Sequence, residues 1–505
     1  MSATRLLTPE SALIAGWDFS TGSVKCLMFD RGGSVVAEFR GPTDLWEADG
    51  AVELNAMMLE GQAAASARSM IGQLQAMGRL KDWVAGGISA THHTCGRVDA
   101  FGNPIRRMIC WNDQTLNTYH ALGLGRLGGP ARVRELIGGP WAERYSLSHL
   151  VKDESTLSEA DWKQTKRILP HGPLAAAYLT GRFDVTSVSS AASTGMMDLR
   201  THRWRPEMLG AIGRADYRAM AEACLPTIID LNEPVGPLRT VEPLTAPPLV
   251  YPPLDDQAAG LIGGGATDAG QVAVILGNSA VVNSSADAAP ATDDLDAMKL
   301  NWGPYLWMRC YSNGAQFVDR IVGANPDWAK LEQAAAAEPA GCGSVSVLPF
   351  ARSEPSIGVT SPRVEWSPNE PRSPGLRLRA AYEAVAYLIA LGVQAHQRAG
   401  QVISRITVSG GIARSPLMVE ILASVLGRTI HRLVSSEGTA LGAAVQALAG
   451  YETTLRRAAG VAEPFTCADA VATMVQFKDS IAPRAEWAEV YRRGLESFAR
   501  AVARS

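Results

Sequence analysis

The feature that most constrains the fold is a polar segment between two strand-like apolar runs near the start of the chain. The stretch AGWDFSTGSVK (15–25) contains one carboxylate, three hydroxyls, two glycines and one lysine; ALIAG leads into it and CLMFD follows it. Apolar runs bounded by turn-forming residues predict two strands joined by a tight turn. A charged turn, DRGG, and a third run, SVVAEF, come next, so residues 13–40 predict three successive strands.

Length and composition restrict the class of protein. A chain of 505 residues is too long for one ordinary core, which predicts two or more domains. A net charge of -3 gives no reason to expect a nucleic acid or an anionic membrane as partner. No apolar run has the length of a membrane span, and a charge and a proline interrupt the N-terminus where a signal peptide is apolar. Seven scattered cysteines without a C-x-x-C pair favour a reduced, cytoplasmic location over disulfides or zinc.

The order of helical and extended patterns predicts an α/β architecture. An Ala-, Met- and Leu-rich segment predicts a helix at 54–79, and VAGGISA predicts a buried strand at 84–90 that ends in the polar loop THHTCGR. The segment PIRRMICWND (104–113) predicts a further strand ending in polar residues. Strands and helices alternate from there to about residue 215, which is typical of an α/β fold.

A proline-dense stretch, 231–257, is a candidate seam between two halves because proline breaks helices and removes backbone donors. Beyond it, QVAVILGNSAVVNSS (271–285) again predicts strand, polar turn and strand. Both halves then begin with a hydroxyl-bearing hairpin, which hints at two similar domains. The alternative is that the two halves share this pattern by chance, because hairpins are common.

The segment RITVSGGIARSPLMVEILASVLG (405–427) predicts a strand, a Gly-Gly turn and a helix. Ser415 is the predicted N-cap, a proline occupies the first helical position, and Gly427 is the predicted C-cap. A Gly-Gly turn before a helix N-terminus lets backbone approach a ligand closely. The segment that follows, 435–450, is rich in small residues that would let a helix pack tightly.

The first hairpin turn has the chemistry of a phosphate site. Successive backbone N–H groups in a Gly/Ser/Thr turn form an anion-binding concavity, to which Thr21 and Ser23 add hydroxyls and Lys25 a cation. A carboxylate beside phosphate requires a divalent cation between them, so Asp18 suggests bound Mg²⁺-nucleotide. The alternative is that Asp18 is a turn or cap residue. Gly277-Asn278-Ser279 offers a similar turn, for which a plain hairpin is the alternative.

Each candidate sugar-binding or proton-accepting residue has two possible roles, one functional and one structural. Asp256, in LDDQAAG, either opens a helix or accepts a proton from a substrate hydroxyl. His92 and His93 are adjacent and would point in two directions, which makes joint metal binding improbable; one of them could hydrogen-bond a polyol or be satisfied by backbone. Trp111 offers an apolar face to the C–H groups of a sugar, but it fits a core position as well.

Together these segments resemble the FGGY family of carbohydrate kinases, and within that family the xylulokinases most. The resemblance covers essentially the whole chain, from about Ile14 to Gly450. Five motifs occur in the family's order: GWDFSTGSVK, WND, DDQAAG, GNS and SGGIARSP, the last followed by EGTALGAA. Five motifs in the correct order are far more specific than any one of them.

The resemblance implies an α/β fold of two actin/Hsp70-like (ribonuclease H-like) ATPase domains facing a central cleft. The N-terminal domain, predicted at 1–250, would bind the sugar and carry the first phosphate hairpin. The C-terminal domain, predicted at 251–505, would bind ATP and end in a helical tail. Family resemblance and the Ala-rich helices also favour a homodimer, although these helices fit a buried core equally well.

The resemblance also assigns roles to individual residues. Asp256 would be the catalytic base, and Asp18 would be the metal-linked carboxylate. The implied sugar contacts are His92, His93, Trp111, Asp113, Asp256 and Gln257. The implied ATP and phosphate contacts are Thr21, Gly22, Ser23, Lys25, Gly277, Asn278, Ser279, Gly314, Gly410, Gly411, Ile412 and Ser415.

The implied activity is ATP- and Mg²⁺-dependent phosphorylation of a sugar hydroxyl, with D-xylulose as the leading substrate and D-xylulose 5-phosphate as product. Ribulose, erythritol, glycerol and gluconate are alternative substrates of the same class. A different alternative is a non-catalytic, actin-like protein that senses a sugar in an ATP-dependent manner.

Several positions depart from the family pattern. Ser20 replaces a usual Gly and Asn278 a usual Thr, and both replacements are expected to keep a donor for phosphate. Ile412 replaces the third Gly of the adenosine loop and is expected to crowd the nucleotide or reshape the backbone. YPPL (251–254) stands where two glycines usually precede the base, and His92 occupies a position at which xylulokinases carry Met.

Overall fold

The computed structural model describes residues 6–240, 244–292 and 294–504, so residues 241–243 of the predicted seam lie outside the described part. Two compact units make up the chain. Unit 1 comprises the chain up to Gly263 together with Ala297–Leu306 and Thr439–Val475. Unit 2 comprises Gly264–Asp296, Trp307–Gly438 and the chain from Gln476 onward.

The secondary structure alternates strands and helices along most of the chain. The strands are Leu13–Phe19 (β1), Ser23–Asp30 (β2), Val35–Pro42 (β3), Leu45–Ala48 (β4), Ala51–Leu54 (β5), Trp83–Ala90 (β6), Cys95–Val98 (β7), Met108–Ile109 (β8), Arg167–Pro170 (β9), Val185–Ser187 (β10), Met197–Asp198 (β11), Arg203–Trp204 (β12), Thr227–Ile229 (β13), Gly236–Pro237 (β14), Leu249–Val250 (β15), Leu254–Asp255 (β16), Gln271–Leu276 (β17), Ala280–Ala286 (β18), Asp296–Lys299 (β19), Tyr305–Tyr311 (β20), Ser346–Phe350 (β21), Arg363–Ser367 (β22), Arg405–Ser409 (β23), Ile430–Leu433 (β24) and Phe477–Ile481 (β25). The helices are Ala56–Ala76 (α1), Leu116–Leu127 (α2), Pro130–Ile137 (α3), Ser146–Thr156 (α4), Glu159–Gln164 (α5), His171–Thr180 (α6), Val188–Ala192 (α7), Ala215–Ala223 (α8), Asp256–Gly263 (α9), Ala315–Val322 (α10), Trp328–Ala337 (α11), Pro374–Arg398 (α12), Pro416–Leu426 (α13), Gly438–Ala459 (α14), Cys467–Met474 (α15) and Ala488–Val502 (α16).

The central sheet of unit 1 has the strand order β14-β15-β6-β1-β2-β3, and β16 pairs with the far end of β6. Strands β1, β6 and β16 are parallel, and Asp18, Ser89 and Leu254 lie at the same level in the three strands. The carboxyl ends of neighbouring parallel strands therefore meet at one edge of this sheet, which is where open α/β sheets bind ligands.

Small residues let α14 approach this sheet closely, as predicted for 435–450. A Cβ on Gly16 or Gly87 would overlap the carbonyls of Ala440 or Ala443 in α14. Each of these glycines is therefore required for the packing, because a methyl group there would push the helix off the sheet.

In unit 2 the sheet runs in the order β20-β18-β17-β23-β24-β25. Strands β17 and β18 are antiparallel, whereas β17, β23 and β24 are parallel. The buried helix α12 packs beside α11 and α13 in the hydrophobic core of this unit.

Most predicted elements are confirmed. The three strands of 13–40, the helix at 54–79 and the hairpin of 271–285 all form. The predicted strand at 104–113 is wrong except for Met108–Ile109, because the segment before it turns so that Arg106 reaches Asp153. Part of the proline-dense stretch is built into unit 1 as β14 and β15.

Within the described residues, no helix combines the length and the apolar composition needed to cross a bilayer. The seven cysteines are all free thiols, and six of them are buried.

Candidate active site

Asp18 lies near the end of β1, where the three parallel strands of unit 1 converge. Its carboxylate is buried; Oδ2 accepts a hydrogen bond of 2.9 Å from the hydroxyl of Thr439, and Oδ1 lies 3.4 Å from the hydroxyl of Ser89. Lys25 is its cross-strand neighbour in β2. The sheet register thus places a carboxylate and an ammonium side by side at the mouth of the hairpin turn.

The turn between β1 and β2 is closed by Ser20. Its hydroxyl donates to the carbonyl of Ser23 (2.9 Å) and accepts from the amide of Ser23 (3.2 Å). The expectation that Ser20 keeps a donor for phosphate is therefore wrong, since this hydroxyl is used inside the turn. A Cβ on Gly22 would meet nothing within 4 Å, and the carbonyl of Thr21 accepts from Thr43 (2.5 Å). The open side of the turn is therefore at Gly22.

Asp255 and Asp256 stand where β16 gives way to α9. Asp255 ends the strand, and Asp256 is the first residue of the helix. The side chain of Asp256 is partly exposed, but its Oδ1 is buried and has no hydrogen-bond partner in the described chain. The pKa of Asp256 is raised to about 6; burial is the main cause, His92 opposes it, and the negative charges of Asp255 and Asp18 add to it. This is the protonation behaviour of a general base that works near neutral pH.

A buried amide pair holds the chain immediately before Asp255 and Asp256. The Nδ2 of Asn301 donates to the carbonyls of Pro252 (3.2 Å) and Pro253 (2.9 Å) and to Oε1 of Gln446 (2.8 Å). Gln446 in turn donates to Pro252 (2.7 Å). Because prolines lack N–H donors, their carbonyls carry the only backbone hydrogen bonds available at these two positions. The two amides therefore fix the segment in which the family's usual glycines are absent.

His92 and His93 do not point in two directions, which corrects the sequence-based expectation. Their rings stack face to face, with centroids 3.9 Å apart and planes 8° apart, and Tyr145 stacks on the other face of His93 at 4.3 Å. His93 adopts a left-handed backbone conformation with φ of 60°, which turns its ring back over that of its neighbour.

The protonation of His93 follows from its surroundings. Its Nδ1 lies 2.8 Å from the carbonyl of Ser193, so Nδ1 carries the proton and donates. Burial, together with the nearby positive charges of His92 and Arg144, lowers the pKa of His93 well below its ordinary value. The neutral ring leaves Nε2 as a buried acceptor without a partner in the described residues, and such an atom suits a ligand hydroxyl.

His92 lies between this stack and the two aspartates. Its Nε2 is 3.1 Å from Oδ2 of Asp255, which is ion-pairing distance but off the direction of a hydrogen bond. The ring therefore lies against the carboxylate of Asp255.

The other predicted sugar contacts differ in how available they are. The Asp113 carboxylate already accepts from Lys152 (2.9 Å) and from the amide (2.9 Å) and hydroxyl (2.5 Å) of Thr115. These bonds favour a structural role that stabilises the loop after β8. Trp111 is partly exposed, and Gln257 follows the base at the start of α9.

Several further polar atoms of unit 1 are buried without a partner among the described residues, as ligand-facing groups are in a ligand-free chain. They include Thr94 Oγ1, Asn112 Oδ1, Trp141 Nε1, Ser148 Oγ, His149 Nδ1 and Asp255 Oδ2. Sequence reasoning missed most of these, since each looks like an ordinary loop or helix residue. The polar run THHTCGR was the only local signal for Thr94.

In unit 2, the turn at 277–279 packs against the start of α10. The amides of Gly314 and Ala315 donate to the carbonyls of Asn278 (3.1 Å) and Gly277 (2.8 Å). A Cβ on Gly314 would lie 2.5 Å from the carbonyl carbon of Ser279, so this position must be glycine to keep the contact. The structure thus brings Gly314 together with the predicted phosphate turn.

The Gly-Gly loop after β23 has one constrained and one free glycine. Gly410 has φ of 97°, and a Cβ there would overlap the carbonyl of Leu276. Gly411 has an ordinary helical conformation, and a Cβ would meet nothing within 4 Å. The loop is therefore anchored at the first glycine and open at the second.

The two side chains that follow have structural roles. Ile412 is only 8% exposed and packs into the core of unit 2, so its side chain does not crowd a nucleotide, while the expected change in the shape of the loop backbone stays a prediction. Ser415 caps α13, as predicted, by accepting from the amide of Met418 (3.0 Å), and its hydroxyl donates to Glu332 (2.8 Å). Neither side chain is turned toward open space at this loop.

A buried acid braces Asn313, the neighbour of Gly314. Glu354 is 2% exposed, and its Oε1 accepts from the amide (3.1 Å) and from Nδ2 (2.8 Å) of Asn313. Burial raises the pKa of Glu354 from 4.5 to about 7.

Substitution Glu354→Gln is expected to remove a pH dependence of stability. The Glu354 carboxyl loses its proton near pH 4.5 in the unfolded chain but only near pH 7 in the folded chain. Between these two pH values the folded state binds more protons than the unfolded state, so the wild-type free energy of unfolding falls as the pH rises. Above about pH 7 this contribution no longer changes with pH. The fall amounts to about 3 kcal/mol at most. Glutamine cannot titrate but can still accept both bonds from Asn313. Urea unfolding from pH 4 to 8 measures the difference, with the exposed Glu365→Gln as control; parallel curves for wild type and Glu354→Gln would contradict the assignment.

Comparison with known proteins gives a consistent result for both parts of the chain. The model for the FGGY family of carbohydrate kinases, N-terminal domain, matches residues 13–245, and the model for that family's C-terminal domain matches residues 242–451. Together the two matches run through most of the chain.

Individual relatives are named for different acceptors. A xylulose kinase from Streptomyces rubiginosus is 28% identical over 458 residues, which cover 87% of this chain and 88% of the relative. Glycerol kinase 2 from Streptomyces avermitilis is 26% identical over 473 residues, covering 87% and 89%. The crystal structure of gluconate kinase from Lactobacillus acidophilus has a TM-score of 0.81 at 18% identity and covers 97% of each chain. The structural likeness confirms the predicted two-domain α/β, actin/Hsp70-like fold.

Proposed function

Because this chain belongs to the FGGY family of carbohydrate kinases, it is a sugar kinase that uses ATP, and we propose that its acceptor is D-xylulose and its product D-xylulose 5-phosphate. The observation that carries the mechanism is Asp256, whose buried Oδ1 lacks a partner in the described chain and whose pKa is raised to about 6. A carboxylate of this kind is ionised at neutral pH and still basic enough to accept a proton.

In the proposed reaction Asp256 accepts the proton of a terminal sugar hydroxyl as that oxygen attacks the γ-phosphorus of ATP. The new bond joins the sugar oxygen to phosphorus, the bond from phosphorus to the β-γ bridging oxygen breaks, and ADP leaves with the electron pair. Positioning and electrostatics supply most of the catalysis in phosphoryl transfer. Asn301 and Gln446 would contribute by holding Pro252 and Pro253, and with them the start of α9.

The histidine stack would bind the hydroxyls of the sugar. Neutral His93 presents Nε2 as an acceptor, and His92 lies beside Asp255, so a ligand that bridges them meets an acceptor, an imidazole and two carboxylates. Such a mixed set suits a polyhydroxylated molecule, because each sugar hydroxyl can both donate and accept.

The turn at 21–25 and the residues at 277–279, 314 and 410–411 are the proposed phosphate and nucleotide contacts. Mg²⁺ bound with ATP would neutralise phosphate charge, and Asp18 is the residue proposed to hold it. Asp18 fits this role because it is a buried carboxylate beside a turn that is open at Gly22. Mg²⁺ typically keeps several waters and takes only one or two carboxylates, so a single aspartate suffices.

Relatives named for xylulose and glycerol match at 28% and 26% identity, and a gluconate kinase shares the fold at 18%, so the acceptor is decided by the residues that line the sugar site. His92 stands where xylulokinases carry Met, and this imidazole is the feature most able to change the preferred acceptor. A non-catalytic sugar-sensing role is disfavoured by the presence of both Asp18 and Asp256, since a binding protein has no use for a proton acceptor at the end of the strand that faces the ligand.

A coupled ADP-release assay with ATP and Mg²⁺ tests the proposal across D-xylulose, D-ribulose, erythritol, glycerol and gluconate, with a no-sugar control. Strong turnover with D-xylulose alone would support the proposed acceptor. Stronger turnover with another panel member would overturn D-xylulose and leave the kinase mechanism standing. ADP release that no sugar raises above the control would favour the sensing role.

We also propose a cytoplasmic location. Burial raises the pKa of Cys95 to about 11 and of Cys110 to about 12, so these thiols are stable as unreacted, protonated groups. Free thiols throughout the chain suit a reducing compartment.

A further inference from the structure

A cavity of about 150 Å³ lies in unit 2 at the amino ends of two adjacent parallel strands, β23 and β24. It is lined by Ser404, Arg405, Ile406, Arg428, Thr429 and His431. Two arginines, a histidine and two hydroxyl-bearing residues thus line one small space that is open to solvent at the exposed Ser404, Arg428 and Thr429, and no acidic residue is among its lining.

The positive charges of Arg405 and Arg428 are not neutralised by an acidic side chain in the described part of the chain. Among the residues that the structure describes, neither forms an ion pair: Arg405 donates from Nη2 to the carbonyl of Gly265, and Arg428 from Nη1 to the carbonyl of Ile403 (3.2 Å). Other inward-lying arginines of unit 2 do pair, Arg379 with Glu383 and Arg432 with Asp479.

Arg405 has the less favourable electrostatic surroundings of the two arginines. Its Nε is buried and has no partner in the described chain, and its guanidinium carbon lies 5.3 Å from the ring centre of Phe477. The acid whose charge acts on it is Asp268, which accepts a hydrogen bond from Gln271 (2.9 Å). Burial lowers the pKa of Arg405, in keeping with a guanidinium that is partly buried without an acidic partner. A bound anion would remove this cost.

The remaining lining groups complete an anion site. His431 is oriented by a 2.8 Å contact between its Nδ1 and the hydroxyl of Ser480, while Ser404 and Thr429 supply hydroxyl donors. The cavity has room for several times the ~30 Å³ that a water molecule occupies in the liquid, which suits a phosphate group with part of its carrier. Arginine pairs recognise phosphate oxygens in bidentate fashion.

This site is separate from the proposed nucleotide loop. Arg405 begins β23 and Ser409 ends it, directly before Gly410. At roughly 3.3 Å per residue, the four steps between them place the cavity about 13 Å along the strand from the loop.

We propose that this cavity binds the phosphate group of a small phosphorylated metabolite, outside the active site. The binding itself does not depend on the proposed sugar or on catalysis. If the enzyme uses ATP at the Gly410-Gly411 loop, as proposed, β23 links the two sites, and occupancy of the cavity changes the KM for ATP.

Isothermal titration calorimetry on the full chain saturated with a non-hydrolysable ATP analogue tests the binding, with glucose 6-phosphate, inorganic phosphate and glucose as probes. The expected result is binding of glucose 6-phosphate that weakens roughly tenfold or more in Arg405→Gln and Arg428→Gln. Arg500→Gln, an exposed arginine of α16, is the matched control and should bind as wild type does. Arg405→Lys keeps the positive charge and the aliphatic part of the side chain but loses the planar guanidinium that can bind two phosphate oxygens. This variant should bind glucose 6-phosphate with intermediate affinity.

Binding that is unchanged in both glutamine variants, or that disappears when the nucleotide analogue is present, would overturn the site. Binding of inorganic phosphate without binding of glucose 6-phosphate would overturn the assignment to a phosphorylated metabolite. These results are read from heat alone, so they stand whether or not any sugar in the kinase assay is phosphorylated. An altered KM for ATP in wild type, absent from Arg405→Gln, would support the coupling; an unchanged KM with binding intact would overturn the coupling alone.

Discussion

Replacement of Asp256 by asparagine is expected to lower turnover by roughly 10²–10⁴-fold, the usual effect of removing a general base. The amide keeps the shape of the carboxylate and loses its ability to accept a proton. KM for the sugar should change far less, because asparagine can still hydrogen-bond a hydroxyl. Steady-state kinetics with the best sugar of the panel measure kcat and KM. Near-normal turnover of Asp256→Asn would contradict the assignment of Asp256 as the base.

The neighbouring Asp255→Asn is the comparison variant: it removes a proposed sugar contact beside His92 but not the proposed base, so KM for the sugar changes, and pH profiles separate the two residues. In the wild type kcat/KM should rise with pH and level off above about 6, because Asp256 acts only when ionised. The charge of Asp255 raises the pKa of Asp256, so Asp255→Asn should move the midpoint to lower pH while turnover at neutral pH is largely kept. A wild-type profile that is flat from pH 5 to 7 would contradict a base of this pKa.

The second large effect is expected at Gly410. Gly410→Ala places a methyl group on a residue with φ of 97° and into the carbonyl of Leu276, so the loop must move. The left-handed conformation alone costs about 1–2 kcal/mol for a residue with a Cβ, and the overlap adds to it. We expect a lower unfolding temperature and a KM for ATP at least tenfold higher.

Gly411→Ala isolates this effect from the general consequence of adding a methyl group. Gly411 has φ of -61° and open space around its Cβ position, so stability should stay within about 0.5 kcal/mol of wild type or rise slightly. Thermal unfolding and ATP titration of both variants give the comparison. Equal loss of stability in the two variants would show that backbone strain at Gly410 does not anchor the loop.

Local patterns predicted the elements well, because turns, caps and strand alternation are set by neighbouring residues. The hairpin at 13–30, the cap at Ser415 and the Gly-Gly turn all follow from residues within a few positions of each other. The strand at 104–113 was overestimated because Arg106 makes an ion pair with Asp153, 47 positions away, which no local pattern contains.

The candidate site was predictable in part for the same reason. Asp18 and Asp256 lie at strand ends that the sequence marks with polar residues, and the sheet then brings the ends together. Asn301 and Gln446 were not predictable, since they reach the proline carbonyls from segments about 50 and 190 positions further along the chain. Ile412 was misjudged because sequence position alone does not reveal that its side chain turns into the core.

Residues 439–475, the last segment of unit 1, also determine when this unit can form during protein synthesis. Until the ribosome has made α14, the glycine-lined face of β1 and β6 has no helix to cover it, Asp18 lacks Thr439, and the prolines before the base lack Gln446. Most of unit 2 is translated in the meantime. Nascent unit 1 therefore exposes apolar sheet surface for almost the whole of translation, a state prone to aggregation that chaperones bind. A gene cut at the middle would yield a first half unable to complete its own core.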